Sequence, residues 1–335
     1  MKVLMINQQE VRKLLPMDEC MDVMAETLKA LARGEAILPL RPVMWLPEKV
    51  GALGMMPSYL HNIGMMGLKV VSVFPGNHGT EFDSHIGAVM LFEAQHGQLL
   101  AIADAREITA IRTAAVSGVA TRLLARDNAA TLAILGSGVQ AQSHLAAMLV
   151  ARRLSHIRIW SRNQAHAQLF AERATALYNI PVEATSTVEE AVENVDIICT
   201  TTSAQEPILK GNWISEGAHI NAVGSSVAFA RELDTAAVVK SKLFVDRRES
   251  TINEAGDFLF PKQEGSITDD HIRGEIGELL MGRIKGRQSR QDVTLFKSLG
   301  LAVEDVAAAH HVYQKAKVAG IGISIELGGH RDGNN

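Results

Sequence analysis

The sequence predicts an α/β protein whose larger part is a doubly wound parallel sheet. Three observations predict it. Between residues 128 and 245, short β-branched runs alternate with segments of helical periodicity. Alternation of that kind suits a parallel sheet with helices on both faces. A glycine turn, Gly136-Ser137-Gly138-Val139-Gln140-Ala141, joins the first such run to the first such helix. The residues before 128 read differently, as strands broken by Gly, Pro and polar turns, and so predict a second part of α+β type.

The first element is a helix that Asp18 can cap, with Met21, Met24, Leu28 and Leu31 on one face. Strands are expected over 43–46, 54–56, 67–73 and 88–93. A turn at Ala94, Gln95, His96 and Gly97 joins the last of these to 98–104 as a hairpin. A buried strand follows over 130–135, then a helix over 140–154 carrying Leu145, Met148, Leu149 and Val150 on its apolar side. Next come a strand at 157–160, a helix at 165–178, and strands at 195–200, 219–223 and 243–245. Asp234 is expected to start a short helix. The last helix spans about 302–318, and the polar, Gly-containing tail 328–335 is expected to fray.

Composition narrows the class. The chain has 335 residues, 47% of them hydrophobic and 21% charged, with a formal net charge of -4. That length accommodates two domains, and that composition is globular. The mild acidity offers no footprint for nucleic acid or an anionic membrane. Cys20 and Cys199 are too few for a disulfide framework and too far apart for a zinc motif, so both are expected as buried thiols. No metal site is expected. Neither a signal peptide nor a membrane span is legible, so a cytoplasmic location is expected.

The glycine turn has the spacing G-x-G-x-x-A, between strand and helix, that marks a Rossmann dinucleotide site. Gly136 permits the tight turn, and Gly138 lets the backbone approach a pyrophosphate. Ala141 lets the helix pack on the strand, while the helix N-terminus offers free N–H groups to the anion. After the second strand an NAD-preferring site usually has an acid for the ribose 2′-hydroxyl. Here Ser161-Arg162-Asn163 stands instead. A hydroxyl and a guanidinium suit a 2′-phosphate, so NADP(H) is the expected cofactor, with NAD(H) possible.

Met56-Pro57, Gly67-Leu68-Lys69-Val70-Val71, Ile111-Arg112-Thr113-Ala114-Ala115, the glycine turn, Asn221-Ala222-Val223-Gly224 and Phe296-Lys297-Ser298-Leu299-Gly300 follow one another along the chain. They carry a resemblance to the ornithine cyclodeaminase/μ-crystallin family over nearly the whole length of the chain. It implies a homodimer acting on a small carboxylate substrate. It also implies a substrate and dimerisation domain formed by 1–118 with 304–335, around a Rossmann domain of 119–303. Carried over by position, Arg41, Lys69 and Arg112 match basic residues around substrate and nicotinamide, and Leu299 a position beside the substrate. Ser84, Arg112, Thr113, Val139, Gln140, Ser161, Arg162, Thr202, Asn221, Val223 and Ser298 match positions that touch the cofactor, together with Gly136 and Gly138.

Two positions depart from the cyclodeaminases of the family. They resemble each other in a Glu where this chain has Gly54, and in an Asp where it has Ser226. A hydroxyl cannot replace a carboxylate in proton transfer at neutral pH. The pattern therefore resembles the family's reductases, which act on cyclic imines or 2-oxo acids. Such a reaction needs a hydride donor, a cation for the substrate carboxylate and a proton source. Arg41 and Lys69 are the expected catalytic pair. Arg41 is suited to a bidentate carboxylate contact, and Lys69, at the end of a strand, to a second charge or a proton. Arg112, opening a helix, can serve pyrophosphate or substrate. Glu304 and Asp305 suit the N-terminal dipole of the last helix, and the adjacent His310 and His311 are structural. The expected activity is reduction of 1-pyrroline-2-carboxylate or 1-piperideine-2-carboxylate to an L-amino acid such as proline. The alternatives are ornithine cyclodeamination, an alanine-dehydrogenase-like activity, and an NADP-linked binding protein.

Overall fold

The computed structural model describes residues 2–77 and 79–329. The part of the polar tail beyond 329 lies outside the described residues. The chain divides into two compact units, Met1–Arg112 with Leu301–Asn335, and Thr113–Gly300.

In chain order the first unit holds β1 (Lys2–Ile6), α1 (Gln8–Leu14), α2 (Met17–Ala32), β2 (Ala36–Ile37), β3 (Val43–Trp45), β4 (Ala52–Leu60), β5 (Met65–Val73), β6 (His85–Glu93) and β7 (Leu99–Asp104). The helix α3 (Ala105–Leu124) follows, and the border between the units falls inside it, after Arg112. The second unit continues with β8 (Thr131–Leu135), α4 (Val139–Ala151), β9 (His156–Trp160), α5 (Gln164–Tyr178), β10 (Val182–Ala184), α6 (Val188–Val192), β11 (Ile197–Thr200) and β12 (His219–Ala222). Then come α7 (Thr235–Lys240), β13 (Lys242–Val245), α8 (Arg248–Glu254), α9 (Gly256–Gln263), β14 (Ile272–Glu275), α10 (Ile276–Leu280) and β15 (Thr294–Lys297). The helix α11 (Ala302–Ala319) and strand β16 (Ile323–Glu326) return to the first unit.

The sheet of the first unit runs β16-β1-β7-β6-β5-β4-β2, with β3 paired to β4. Strands β4 to β7 form an antiparallel meander in which Lys69 lies opposite Met56 on one side and Val89 on the other. Alternate residues of β4 (Ala52, Met56, Ser58, Leu60) are buried, as a half-covered sheet requires. Helix α11 covers β4, β5 and β6, and α2 packs on α11. Gly67 permits the close approach: a Cβ there would lie 2.4 Å from the Val306 Cγ2 of α11.

The second unit is a parallel sheet in the order β10-β9-β8-β11-β12-β15-β13-β14. From β8 the chain steps outward to β9 and β10, then returns to β11 on the other side of β8. That reversal makes the carboxyl ends of β8 and β11 the topological switch point, where open α/β sheets bind ligands.

Several expectations need correction. Asp18 does not cap α2; Pro16 occupies that position and Asp18 lies in the first turn. The helix α1 before it was not expected, being short and bracketed by the capping box of Asn7 and Glu10. Of α3 only a helix opening at Arg112 was expected, because residues 110–121 are all buried and a helix covered on every side has no amphipathic period to mark its start. Arg112 therefore does not open a helix but lies well inside α3, and Lys69 is in the middle of β5, not at its end. One border between the units lies between Arg112 and Thr113, inside the continuous helix α3 where no loop marks it, and the other between Gly300 and Leu301, between β15 and α11. Asp234 does cap α7, accepting from the Ala237 N–H at 2.7 Å, and both cysteines are buried free thiols.

Candidate active site

In the second unit the glycine turn sits where β8 ends. Gly136 has φ +118, and a Cβ there would lie 2.8 Å from the Thr201 carbonyl, so both its conformation and its packing require glycine. Its N–H donates to the Trp160 carbonyl at 2.8 Å, tying the turn to β9. Gly138 differs. It precedes α4 at φ -83, and a Cβ there would meet no protein atom within 4 Å. None of the described residues requires glycine at 138; a phosphate drawn against the backbone would. No side chain caps α4, which leaves its first N–H groups to an anion. Ala141 is buried, Val139 is exposed, and the buried Oε1 of Gln140 has no hydrogen-bond partner among the described residues. These observations fit a dinucleotide pyrophosphate at this turn.

The Ser137 hydroxyl donates to that of Ser161 at 2.9 Å, joining the ends of β8 and β9. Arg162 is exposed beside it. Asn163 is committed elsewhere: its Oδ1 accepts from the Ala165 N–H of α5. Across the switch point the Thr201 N–H donates to the Leu135 carbonyl at 2.8 Å, and both the N–H and hydroxyl of Thr202 donate to Glu232. Thr113, Val223, Ser298 and Leu299 are buried. Ser298 and Leu299 follow β15, where the N–H groups of Leu299 and Gly300 donate to Asp246. Asn221 points into the core, its Nδ2 donating to the Thr121 hydroxyl at 3.0 Å and its Oδ1 lying 3.2 Å from His219 Nε2. Burial holds that histidine far below its usual range, at about 3, and so neutral.

The first unit holds, by itself, a buried cluster of two cations and two carboxylates. Lys69 Nζ donates to Asp305 Oδ1 and Oδ2 at 3.2 and 3.3 Å. Arg112 donates through Nε to the same Asp305 at 2.9 Å and through Nη1 to Glu304 at 2.8 Å. All four side chains are buried. Burial lowers the Lys69 ammonium to about 8; Asp305 opposes the shift, and Arg112 and Arg41 add to it. A lysine held near 8 can both carry and release a proton near neutral pH. Arg41 lies half-buried between β2 and β3, and Ser84, before β6, is half-buried beside His85 with 3.0 Å between Oγ and Nδ1.

The structure thus brings Lys69 and Arg112 together through Glu304 and Asp305, two residues that sequence reasoning gave only to the helix dipole. The adjacent Glu-Asp pair was visible as a signal. What hid its meaning was the burial of the first turn of α11, which periodicity alone does not show. His310 and His311 point apart, to Gln314 and Glu19.

A switch-point glycine turn on a parallel sheet, joined to an α+β unit with a buried cation–carboxylate cluster, defines a Rossmann-type protein with an added second unit. Comparison with known proteins gives the family. The chain belongs to the ornithine cyclodeaminase/mu-crystallin family, whose sequence profile matches residues 1–320. It is 35% identical over 326 residues to the Delta(1)-pyrroline-2-carboxylate reductase of Bacillus cereus, covering 97% of this chain and 100% of that one. It is 40% identical over 280 residues to the ketimine reductase mu-crystallin of Mus musculus, covering 84% and 85%. The solved structure of Thermococcus litoralis Delta(1)-pyrroline-2-carboxylate reductase, in complex with NADH and L-proline, superposes with a TM-score of 0.94 at 38% identity. It covers 96% of this chain and 100% of that one.

Proposed function

We propose that this protein is an NAD(P)H-dependent reductase of a small cyclic imine carboxylate, of the 1-pyrroline-2-carboxylate or 1-piperideine-2-carboxylate type, giving an L-amino acid such as proline. The observation that carries the proposal is the Lys69–Asp305–Arg112–Glu304 cluster. Its relatives support it, since one is a Delta(1)-pyrroline-2-carboxylate reductase and another a ketimine reductase.

In this reading the second unit holds the cofactor at Gly136, Gly138, Val139, Gln140, Ser161, Arg162, Thr202, Val223 and Ser298. The first unit, with Ser84, handles the substrate. Thr113, buried on α3, is assigned to the same cofactor set. Asn221 acts from within the core, shaping the strand end and not touching the ligand. When bound, the nicotinamide supplies the hydride that the imine carbon accepts. Arg41 and Arg112 hold the substrate carboxylate, and Leu299 packs against the ring. Lys69 supplies the proton that the nitrogen retains, and Asp305 keeps the Lys69 Nζ in place. The absence of an acid after β9, with Arg162 exposed there, supports a preference for NADP(H). The same reading includes a homodimer in the cytoplasm.

The test is to follow loss of NADPH absorbance on adding 1-pyrroline-2-carboxylate, with chiral analysis of the product. Formation of L-proline with one NADPH consumed per product is expected. Release of ammonia from ornithine with no net change in cofactor would overturn the proposal in favour of cyclodeamination. Titrations of NADPH and NADH against Arg162→Ala complete the test: NADPH should weaken by about tenfold, the scale of one lost charged contact, and NADH should hardly change.

A further inference from the structure

Behind the switch point lies a buried ionic network to which the proposed chemistry gives no part. Its centre is Glu232, on the segment between β12 and α7 and fully buried. Oε1 accepts from the Thr202 N–H and the Thr202 hydroxyl, each at 2.7 Å. Oε2 accepts from the Thr200 hydroxyl and the Gly224 N–H, again each at 2.7 Å. Four donors therefore converge on one carboxylate, filling the sites two ionised oxygens offer. These donors belong to the segments that leave β11 and β12. Gly224 is what lets them close up, because a Cβ there would lie 2.1 Å from the Thr202 carbonyl and 2.5 Å from Glu232 Oε1.

Glu232 is itself held. Its N–H and that of Leu233 donate to Asp257 Oδ1 at 2.8 and 3.0 Å. Asp257 Oδ2 accepts from Lys297 Nζ at 2.8 Å, and the same ammonium donates to the Ser225 carbonyl. Lys297 immediately precedes Ser298 at the end of β15. One network thus ties the segments after β11, β12 and β15, and Thr201 ties the first of them to β8 through the Leu135 carbonyl.

Two carboxylates and one ammonium out of water are expensive, and apolar residues of similar size hold a core at least as well. What a saturated buried carboxylate supplies that apolar packing does not is a directional anchor for particular N–H and O–H groups. We infer that Glu232 is a positioning residue for the cofactor: it fixes the backbone at Thr202 and Val223–Gly224, the surface that takes the nicotinamide half, and leaves the adenosine half to the glycine turn and β9. This rests on the cofactor reading above.

The experiment compares whole NADPH with AMP and adenosine 2′,5′-bisphosphate, titrated calorimetrically into the unaltered chain, Glu232→Gln and Thr200→Val. Glu232→Gln keeps the shape but turns a donor toward the Thr200 hydroxyl and Gly224 N–H or toward Thr202. Thr200→Val deletes one donor on a strand residue outside the proposed cofactor contacts, and serves if the first variant does not fold. NADPH should bind about tenfold more weakly to Glu232→Gln and about threefold more weakly to Thr200→Val, the scale of a lost hydrogen bond to a charged group. The adenosine ligands should bind both variants as they bind the unaltered chain. Equal weakening of NADPH and the adenosine ligands would overturn the inference, because the network would then serve the fold alone. Unchanged NADPH binding in both variants would overturn it too. Failure of the unaltered chain to bind NADPH would remove the cofactor reading and the inference together.

Discussion

At the scale of single residues, the chemistry turns on how Lys69 keeps a mobile proton. Burial disfavours its ammonium and Asp305 favours it, which leaves it at about 8. A proton donor of this kind is charged below that value and neutral above it. With NADPH and imine saturating, turnover should therefore fall as pH rises through about 8, measured as kcat across a pH series. Asp305→Asn removes the favourable charge and should move that falling limb to lower pH; a limb that stays in place would show that another group titrates. Lys69→Ala should reduce kcat by about 100-fold or more, the range of general acid catalysis, with NADPH binding nearly intact by calorimetry. Unchanged turnover would remove Lys69 from the reaction. The sequence made Lys69 and Arg112 visible through the resemblance, but Asp305 and Glu304 read as helix-end acids. Only the packing of α11 on β5 turns them inward.

At the scale of elements, the two glycines of one turn do different work. Gly136→Ala places a methyl against the Thr201 carbonyl at a positive φ, so it should lower stability by about 1–3 kcal/mol along with cofactor affinity. Gly138→Ala meets no protein atom, so thermal unfolding without cofactor should hardly move while NADPH binding weakens. Differential scanning with and without NADPH separates the two, and a large loss of stability in apo Gly138→Ala would contradict the assignment. Most strands and helices of 128–245 were legible because each buries one face or one short run; β10 and α6, three and five residues long, were not. The start of helix α3 was not, since its middle is buried on every side, and β15 was visible only as a motif.

At the scale of the molecule, the first unit exposes apolar residues near one end of its sheet: Val43, Met44 and Trp45 on β3, with Ile37 and Val50 beside them in sequence. A patch of this kind on a folded protein asks for a covering surface. A second copy satisfies that need in the homodimer proposed above. Light scattering should give twice the mass of one chain, and Trp45→Glu with Met44→Lys should shift the population toward monomer; a monomeric unaltered chain would refute the pairing. By itself the sequence determined the α/β class, the glycine turn and the family, because each is written in local spacing along the chain. The tertiary structure decided which acids meet Lys69 and Arg112, that Asn221 faces the core, and that Glu232 anchors the switch-point segments. Apart from that of Asn221 with its near neighbour His219, those contacts join residues 8 to 236 positions apart, and their geometry depends on burial that no local pattern records.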